Sequence, residues 1–252
     1  MKKIKDNIIE ILVATGVMLI LLYSSSPDIY PDTQRFLNGH LHDPPLYSTI
    51  IYVMQLIFGS LNSVIILQTL FVGFGIIYFT RTVEIHFNLN VMIKSIIALF
   101  LFLPVLKFYK SLITEPISYA FSLLFVSFVV KLIYNLKIKN IIWITIFVIL
   151  LLLLRNQFIF LYPVILLLYL GILILYSSKK TFSWLLISFL SIFIIHNVTI
   201  STNKHIKKNY FENKSFSTNK GIFFFAYIDA IYISDYEDIE LFEDQKLKNT
   251  LA

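Results

Sequence analysis

Residues that could do chemistry are concentrated in one polar segment, residues 24–47, which lies between long apolar runs. Residues 11–200 contain only five acidic side chains, and three of them fall in this segment: Asp28, Asp32 and Asp43. A carboxylate there could act as a general base that accepts a proton from a hydroxyl group, or it could bind a divalent metal ion. Because the chain avoids acids elsewhere, we expect these carboxylates to be used in chemistry.

Asp32 is the first candidate for the base. Pro31 is well suited to the first turn of a helix, so the sequence predicts a short helix through Leu37, with Asp32 at or near its start. A carboxylate at that position can also serve only to cap the helix. From the residues alone, both roles stay open for Asp32.

The polar segment ends in the sequence HDPPLY, residues 42–47. Its two consecutive prolines predict an extended backbone ahead of the next helix. His40 and His42 could bind a metal or a phosphate, but no third ligand follows at a spacing typical of zinc. The pattern therefore favours His42 as a contact for an anionic headgroup. The other candidate substrate contacts of this segment are Asp28, Arg35 and Asp43.

Two charged residues outside the segment complete the candidate site. Glu115 precedes Pro116 at a predicted helix start, where a carboxylate is electrostatically favourable, and an acid at a membrane boundary is also a functional candidate. Arg155 follows a mainly apolar run of fourteen residues, 141–154, which covers about 21 Å of a roughly 30 Å bilayer core. Arg155 is thus predicted to lie in a cavity below the membrane surface, where it could bind phosphate, with snorkelling to the headgroups as the alternative.

The composition identifies the elements that must position these residues. The 252-residue chain is 58% hydrophobic and 14% charged, whereas soluble domains carry about 25% charged residues. The absence of cysteine excludes disulfides and thiolate catalysis. The chain is therefore predicted to be an all-α polytopic membrane protein. The seven predicted spans are Ile8–Tyr23 (a retained signal anchor), Leu61–Thr80, Val91–Leu106, Pro116–Leu136, Ile141–Leu154, Phe158–Tyr176 and Phe182–Ile200.

The segment Tyr47–Phe58 is apolar but too short to cross, so it is predicted to be an interfacial or re-entrant helix that ends at Gly59. If this segment does not cross the membrane, ten basic residues lie on the cytoplasmic side and four on the external side before the tail. This distribution agrees with the positive-inside rule. The net charge of +6 is thereby explained by orientation, with no role in binding nucleic acid. Glu84 falls in a predicted cytoplasmic loop and is expected to be solvated.

This topology places the N-terminus in the cytoplasm and the polar segment outside. Residues 1–200 form a transmembrane module with an external catalytic loop at residues 24–60. Residues 201–252 form an external polar and acidic tail, and the sequence leaves open whether it starts a longer C-terminal region or ends a minimal protein of this kind. The predicted location is the bacterial cytoplasmic membrane, with a site that faces outward.

Over residues 1–200 the chain resembles the GT-C type glycosyltransferases, in particular the branch of protein O-mannosyltransferases and lipid A aminoarabinose transferases. Five features occur in that family's order: the acidic motif at residues 30–36, the Pro-Pro element at residues 43–47, the helix end at Phe58-Gly59, the Thr-Glu-Pro turn at residues 112–116, and Arg155 followed by Tyr162-Pro163. The chain departs from the family where Asp43 replaces the usual His or Lys before Pro-Pro, which displaces His42 by one position.

The resemblance implies a catalytic base at Asp32, a second acidic site residue at Glu115, a phosphate contact at Arg155 and a donor contact at His42. It also implies inversion at the anomeric carbon and a polyprenyl-phosphate sugar as the donor. The predicted reaction transfers that sugar to a glycan, lipid or protein of the cell envelope. No cofactor is predicted with certainty, and a divalent metal stays open. The alternatives are a transporter or flippase of envelope precursors and a non-catalytic membrane assembly partner.

Overall fold

The computed structural model describes residues 8–23, 27–29, 31–38, 43–108, 110–176 and 178–212. Across these ranges the chain is helical, and its only strand-like pairing is one isolated β-bridge between Asp28 and Ser111. The chain divides into two units, Met1–Lys204 and His205–Ala252. Every contact discussed below lies within the first unit. The prediction of an all-α fold is confirmed.

The helices follow one another with short connections. In chain order they are α1 (Ile8–Tyr23), α2 (Pro31–Asn38), α3 (Pro45–Phe58), α4 (Asn62–Phe87), α5 (Val91–Phe108), α6 (Glu115–Tyr134), α7 (Ile138–Leu154), a 3-10 helix (Asn156–Phe160), α8 (Leu161–Leu175) and α9 (Lys179–Glu212).

Within the described ranges, five helical segments are long and apolar enough to cross a membrane: Asn62–Phe87, Val91–Phe108, Glu115–Tyr134, Asn156–Leu175 and Lys179–Ile206. They correspond to five of the seven predicted spans, and the protein is accordingly a multi-pass membrane protein. The other two predicted spans, α1 and α7, have 16 and 17 residues, or about 24–26 Å of helix.

Contacts between side chains establish how α4, α6 and α7 run. Along α4, Gln68 bonds to Ile113 just before α6, and Tyr78 bonds to Lys131 near the end of α6, so these two helices are parallel. Arg155, after the end of α7, contacts Glu115 at the start of α6, so α7 runs the opposite way. We call the end of the bundle that holds Glu115 and Arg155 the site end.

The short helix α3 does not cross the bundle. Near its start, Tyr47 accepts a hydrogen bond from Gln68, and near its other end Met54 accepts one from Ser63 through its carbonyl oxygen. Both partners lie in the first two turns of α4, so α3 begins and ends at the site end. Gly59 stops the helix with a left-handed φ of 64°, a conformation that glycine adopts without strain. The short helix and its end at Gly59 are as predicted from the sequence.

Two predicted helix ends are wrong. Helix α4 continues past Thr80 to Phe87, so Glu84 lies in a helix and not in a solvated loop. Its carboxylate forms an ion pair with Lys94 of α5, whose side chain is only 3% exposed. The last helix also runs past Ile200 to Glu212, into the region that was predicted to be a polar tail. Residues 213–252, the rest of that tail, lie outside the described residues.

Helix α5 contains a proline, Pro104, which has no backbone N–H to continue the helical hydrogen bonds. Near this point the Tyr119 hydroxyl of α6 donates a hydrogen bond to the Leu101 carbonyl oxygen, at 2.7 Å. The contact ties the two helices where the α5 backbone is interrupted.

Helices α8 and α9 are held to the bundle by polar contacts as well as apolar ones. The Tyr169 hydroxyl of α8 and the Thr145 hydroxyl of α7 both contact Ser188 of α9. Nearer the site end, the Tyr162 hydroxyl lies 2.7 Å from Nδ1 of His196. Such hydrogen bonds fix helix positions in an apolar surrounding, where burial of hydrocarbon alone gives little driving force.

At Gly75 of α4, the backbones of α4 and α6 approach each other closely. A Cβ atom at this position would lie 3.1 Å from the backbone carbonyl oxygen of Ala120 in α6. Backbone cannot swing aside as the tip of a side chain can, so any side chain at residue 75 must push α4 and α6 apart.

We expect Gly75→Leu to lower the thermal unfolding midpoint of the detergent-purified protein by on the order of 5 °C, because overpacking costs about 1–3 kcal/mol. Gly171→Leu is the matched control, since nothing lies within 4 Å of a Cβ at that glycine. Equal midpoints for the two variants would contradict the close approach of α4 and α6.

Candidate functional site

A cavity of about 270 Å³ opens at the site end among α4, α5 and α6. Most of its wall is apolar, from Val72, Pro104, Val105, Phe108, Pro116 and Phe158. The polar groups in the wall come from Gln68, Thr69, Glu115, Ser118, Tyr119, Ser122 and Arg155. An apolar recess with a few convergent polar groups is the usual form of a small-molecule site.

The charged part of the wall is an ion pair between Arg155 and Glu115. Nη1 of Arg155 donates to Oε1 of Glu115 at 2.6 Å, and both side chains are about one-third exposed, at 30% and 33%. Glu115 is the first residue of α6, with Pro116 in the first turn as predicted. Arg155 follows the last residue of α7 in an extended conformation that aims it back at α6. The pair therefore joins the ends of two antiparallel helices across the cavity wall.

The position of Arg155 in the cavity wall agrees with the sequence prediction, but its pairing with Glu115 was not foreseen. One short hydrogen bond joins the two side chains, so the planar guanidinium keeps further N–H donors that an anion could bind. An anion that binds Arg155 must compete with the Glu115 carboxylate. Because the pair is partly exposed to water, that exchange is less costly than it would be for a fully buried ion pair.

The polar segment is tied to the same end of the bundle by its backbone. The Asp28 N–H donates to the Lys110 carbonyl oxygen at 2.9 Å, and the Asp28 carbonyl oxygen accepts from the N–H of Leu112 at 3.4 Å. The buried Thr33 hydroxyl donates to the Leu112 carbonyl oxygen at 2.8 Å. These bonds fasten residues 28–33 to a strand-like stretch that ends three residues before Glu115.

The helix predicted for Asp32 is present as α2, and Asp32 lies in its first turn. Its neighbour Thr33 holds that turn against Leu112, so the α2 backbone at Asp32 is close to the start of α6. The Asp32 side chain lies outside the described part of the structure, as do His40 and His42 entirely. Their predicted roles stay predictions. The Asp28 side chain is exposed, on the segment that pairs with residues 110–112.

Arg35 and Asp43 bind each other. Nη2 of Arg35 lies 2.7 Å from Oδ1 of Asp43, and the Asp43 side chain is only 11% exposed. The backbone carbonyl oxygen of Asp43 also accepts a long hydrogen bond, 3.5 Å, from Asn203 of α9. The ion pair joins α2 to the start of α3 outside the cavity wall, which gives both residues a structural role. Their contact with a substrate stays a prediction.

Gln68 is a site residue that the sequence reading missed. It is 2% exposed, and its Nε2 donates to the Tyr47 hydroxyl at 2.7 Å and to the Ile113 carbonyl oxygen at 2.9 Å. Its amide oxygen, Oε1, has no hydrogen-bond partner among the described residues. An unpartnered buried acceptor costs about 1–3 kcal/mol. A lone amide two turns into an apolar span was the sequence signal that could have drawn attention to it.

A metal site is not visible in the part of the chain that the structure describes, where no three His, Asp or Glu side chains come together. The side chains of Asp32, His40 and His42 fall outside that part. A divalent metal at the polar segment therefore stays a prediction.

Comparison of the chain with protein-family models, with curated proteins and with solved structures finds no match in any of the three. The class of protein that fold and site define is a multi-pass helical membrane protein with a cavity lined by an ion pair at one end.

We expect a double-mutant cycle between Arg155→Met and Glu115→Gln to give a coupling free energy of about 1 kcal/mol, near the upper end for partly exposed pairs. Denaturant unfolding of the purified protein in mixed micelles measures it. The matched cycle pairs Glu115→Gln with Arg81→Met, on the other half of α4, and should give a coupling free energy near zero. Equal values from the two cycles would contradict the ion pair.

Proposed function

We propose that this protein is a membrane glycosyltransferase of the GT-C kind, which moves a sugar from a polyprenyl-phosphate carrier to a glycan, lipid or protein of the cell envelope. The observation that carries the proposal is the composition of the cavity wall. Long apolar surfaces meet a guanidinium and a carboxylate there, beside the segment that holds Asp32. A sugar linked to a polyprenyl phosphate carries groups that complement this wall: an apolar chain for the apolar surfaces, an anionic phosphate for the guanidinium and hydroxyl groups for the carboxylate.

Each part of the proposed donor has a counterpart in the site. The apolar wall between α5 and α6, with Val105, Phe108 and Tyr119, suits the first isoprene units of the carrier. The phosphate would take Arg155 as its counter-charge, in exchange for Glu115. The sugar would then extend toward α2, where Asp32 lies.

The reaction needs one base and one stabilised leaving group. In the proposed step Asp32 accepts the proton of an acceptor hydroxyl, and the hydroxyl oxygen forms a bond to the anomeric carbon. The bond between that carbon and the phosphate oxygen breaks, and its electron pair leaves with the polyprenyl phosphate. Arg155 stabilises the charge that develops on the phosphate. Attack from the face opposite the phosphate inverts the anomeric carbon.

The proposed orientation has the site end outside the bacterial cytoplasmic membrane. The directions of the helices support it, because the connections at the other end carry most of the lysines. Lys94 lies in the first turn of α5, Lys131 lies in the last turn of α6, and Lys179 is the first residue of α9, all at the end away from Glu115. An excess of lysine is typical of the cytoplasmic side.

We expect Asp32→Asn to reduce sugar transfer by about 100-fold or more, because the amide cannot accept the proton. The assay follows radiolabelled sugar from the polyprenyl-phosphate carrier to acceptor in membranes that contain the protein. Lys139→Gln, which removes an exposed charge at the start of α7, away from the site end, is the control and should keep near-normal transfer. A normal rate for Asp32→Asn would exclude Asp32 as the base.

We expect Arg155→Gln to reduce kcat/KM for the donor by about 10- to 100-fold and Arg155→Lys to restore only part of it, because a lysine keeps the charge without the planar fork. The same transfer assay, run over a range of donor concentrations, gives these constants. An unchanged kcat/KM in Arg155→Gln would remove the phosphate contact from the proposal.

A further inference from the structure

The charged part of the cavity wall carries no net charge. Arg155 and Glu115 are the only charged side chains among the described residues that line the cavity, and their Nη1 and Oε1 atoms lie 2.6 Å apart. Both side chains are partly exposed, at 30% and 33%. An anion that enters the cavity therefore meets one positive and one negative charge side by side.

The backbone just before Glu115 is held in place by other segments. The Thr33 hydroxyl donates to the Leu112 carbonyl oxygen at 2.8 Å, and the Gln68 amide donates to the Ile113 carbonyl oxygen at 2.9 Å. Because these bonds fix the start of α6, the Glu115 carboxylate can leave the guanidinium only by rotation of its own side chain. The displaced carboxylate therefore stays within the reach of one side chain.

The backbone of Arg155 is fixed in the same way. Its N–H donates to the Leu151 carbonyl oxygen at 3.2 Å, and its carbonyl oxygen accepts from the N–H of Phe158 at the same distance. Neither partner of the ion pair can retreat with its helix end. A phosphate that takes the place of the carboxylate against the guanidinium consequently keeps the carboxylate as a close neighbour.

This arrangement responds to the number of charges on the phosphate. The first negative charge is attracted by the guanidinium of Arg155 and repelled by the carboxylate of Glu115. A second negative charge adds attraction and repulsion of similar size, because both groups lie close to it. It must also be removed from water into a mostly apolar cavity, which is unfavourable for a charge without a partner of its own. A second charge on the phosphate should therefore give no gain in affinity.

We propose that Glu115 is a specificity-determining residue, which makes the anion site at Arg155 selective for a phosphate with one negative charge over a phosphate with two. This inference rests on the proposed function and deepens it, since it separates the donor from its lipid product. A polyprenyl-phosphate sugar is a phosphodiester with one charge, whereas the carrier left after transfer is a phosphomonoester with about 1.5 to 2 charges at neutral pH. Glu115 would thus favour binding of the donor over binding of the spent carrier.

The first test compares two lipid probes, phytanyl ethyl phosphate and phytanyl phosphate, at pH 8. The diester then has one charge and the monoester about two, because the second pKa of a phosphomonoester is about 6. We expect the full-length protein in non-ionic detergent to bind the diester at least as tightly as the monoester. A guanidinium without a competing carboxylate should instead prefer the monoester by about 3- to 10-fold. Such a preference in the wild type would overturn the proposal, and this arm needs no variant.

Two variants assign the selectivity to the charge of Glu115. Glu115→Gln removes the competing carboxylate, so both probes should bind more tightly, and the ratio of the two affinities should shift toward the monoester by about 3- to 10-fold. Glu115→Asp keeps the charge on a shorter side chain and should keep the ratio close to that of the wild type. A ratio that is unchanged in Glu115→Gln, or one that shifts equally in both variants, would overturn the role of the charge.

The proposed function fails in a different way. If neither probe binds, or if Arg155→Gln leaves both affinities unchanged, the cavity does not hold a lipid phosphate, and the donor site falls together with the role of Glu115. If Arg155→Gln weakens both probes while Glu115→Gln leaves their ratio unchanged, the donor site stands and only the role of Glu115 falls.

Discussion

The close parallel packing of α4 and α6 is the constraint on which the rest of the bundle depends. Gly75 lets the backbone of α4 approach Ala120 in α6, and the two helices are then in register along their length. That register sets Gln68 beside Ile113 at one end and Tyr78 beside Lys131 toward the other. Apart from Arg155, the polar wall of the cavity is therefore built from two helices that approach closely because residue 75 has no side chain.

Charged side chains are few in the apolar helices, and the ion pairs that they form lie toward the two ends of the bundle. At the site end the ion pair of Arg155 with Glu115 lies partly open to water, and that of Arg35 with Asp43 is less exposed. Glu84 and Lys94 form a pair toward the other end. Between the ends, hydroxyl groups such as that of Ser188 link the later helices. Neutral hydrogen bonds thus hold the apolar middle, while the ion pairs lie toward the two ends.

Local features of the fold could be predicted from the sequence because they depend on residues that are neighbours along the chain. Pro31 and Pro116 mark helix starts, and Gly59 marks a helix end, through the conformations that these residues adopt. The positions of the apolar helices follow in the same way from length and composition, although only five of the seven predicted spans reach the length of a membrane-crossing helix. The predicted end of α4 at Thr80 failed because charged residues there suggested a loop, whereas Lys94 of the next helix neutralises one of them.

The pairings within the site could not be predicted, because they join residues far apart in the sequence. Nothing local to Arg155 indicates that Glu115, 40 residues earlier, is its partner. Gln68 was overlooked because an isolated amide in an apolar run belongs to no recognisable motif. Its place in the site depends on contacts with Tyr47 and Ile113, which are distant in the sequence. The sequence indicated which charged residues to consider, and only the packing of the helices showed which of them face the cavity.

The ion pair between Glu84 and Lys94 also bears on how the chain enters a membrane during synthesis. A charged side chain is unfavourable in an inserting helix, by about 2.5–3.5 kcal/mol for a lysine at the bilayer centre and by less near a helix end, where Glu84 and Lys94 lie. The two residues are ten positions apart, on α4 and α5, and only one turn of chain separates these helices. The helical hairpin is consequently the natural unit of insertion, because α4 and α5 together carry a neutralised pair that neither helix has on its own.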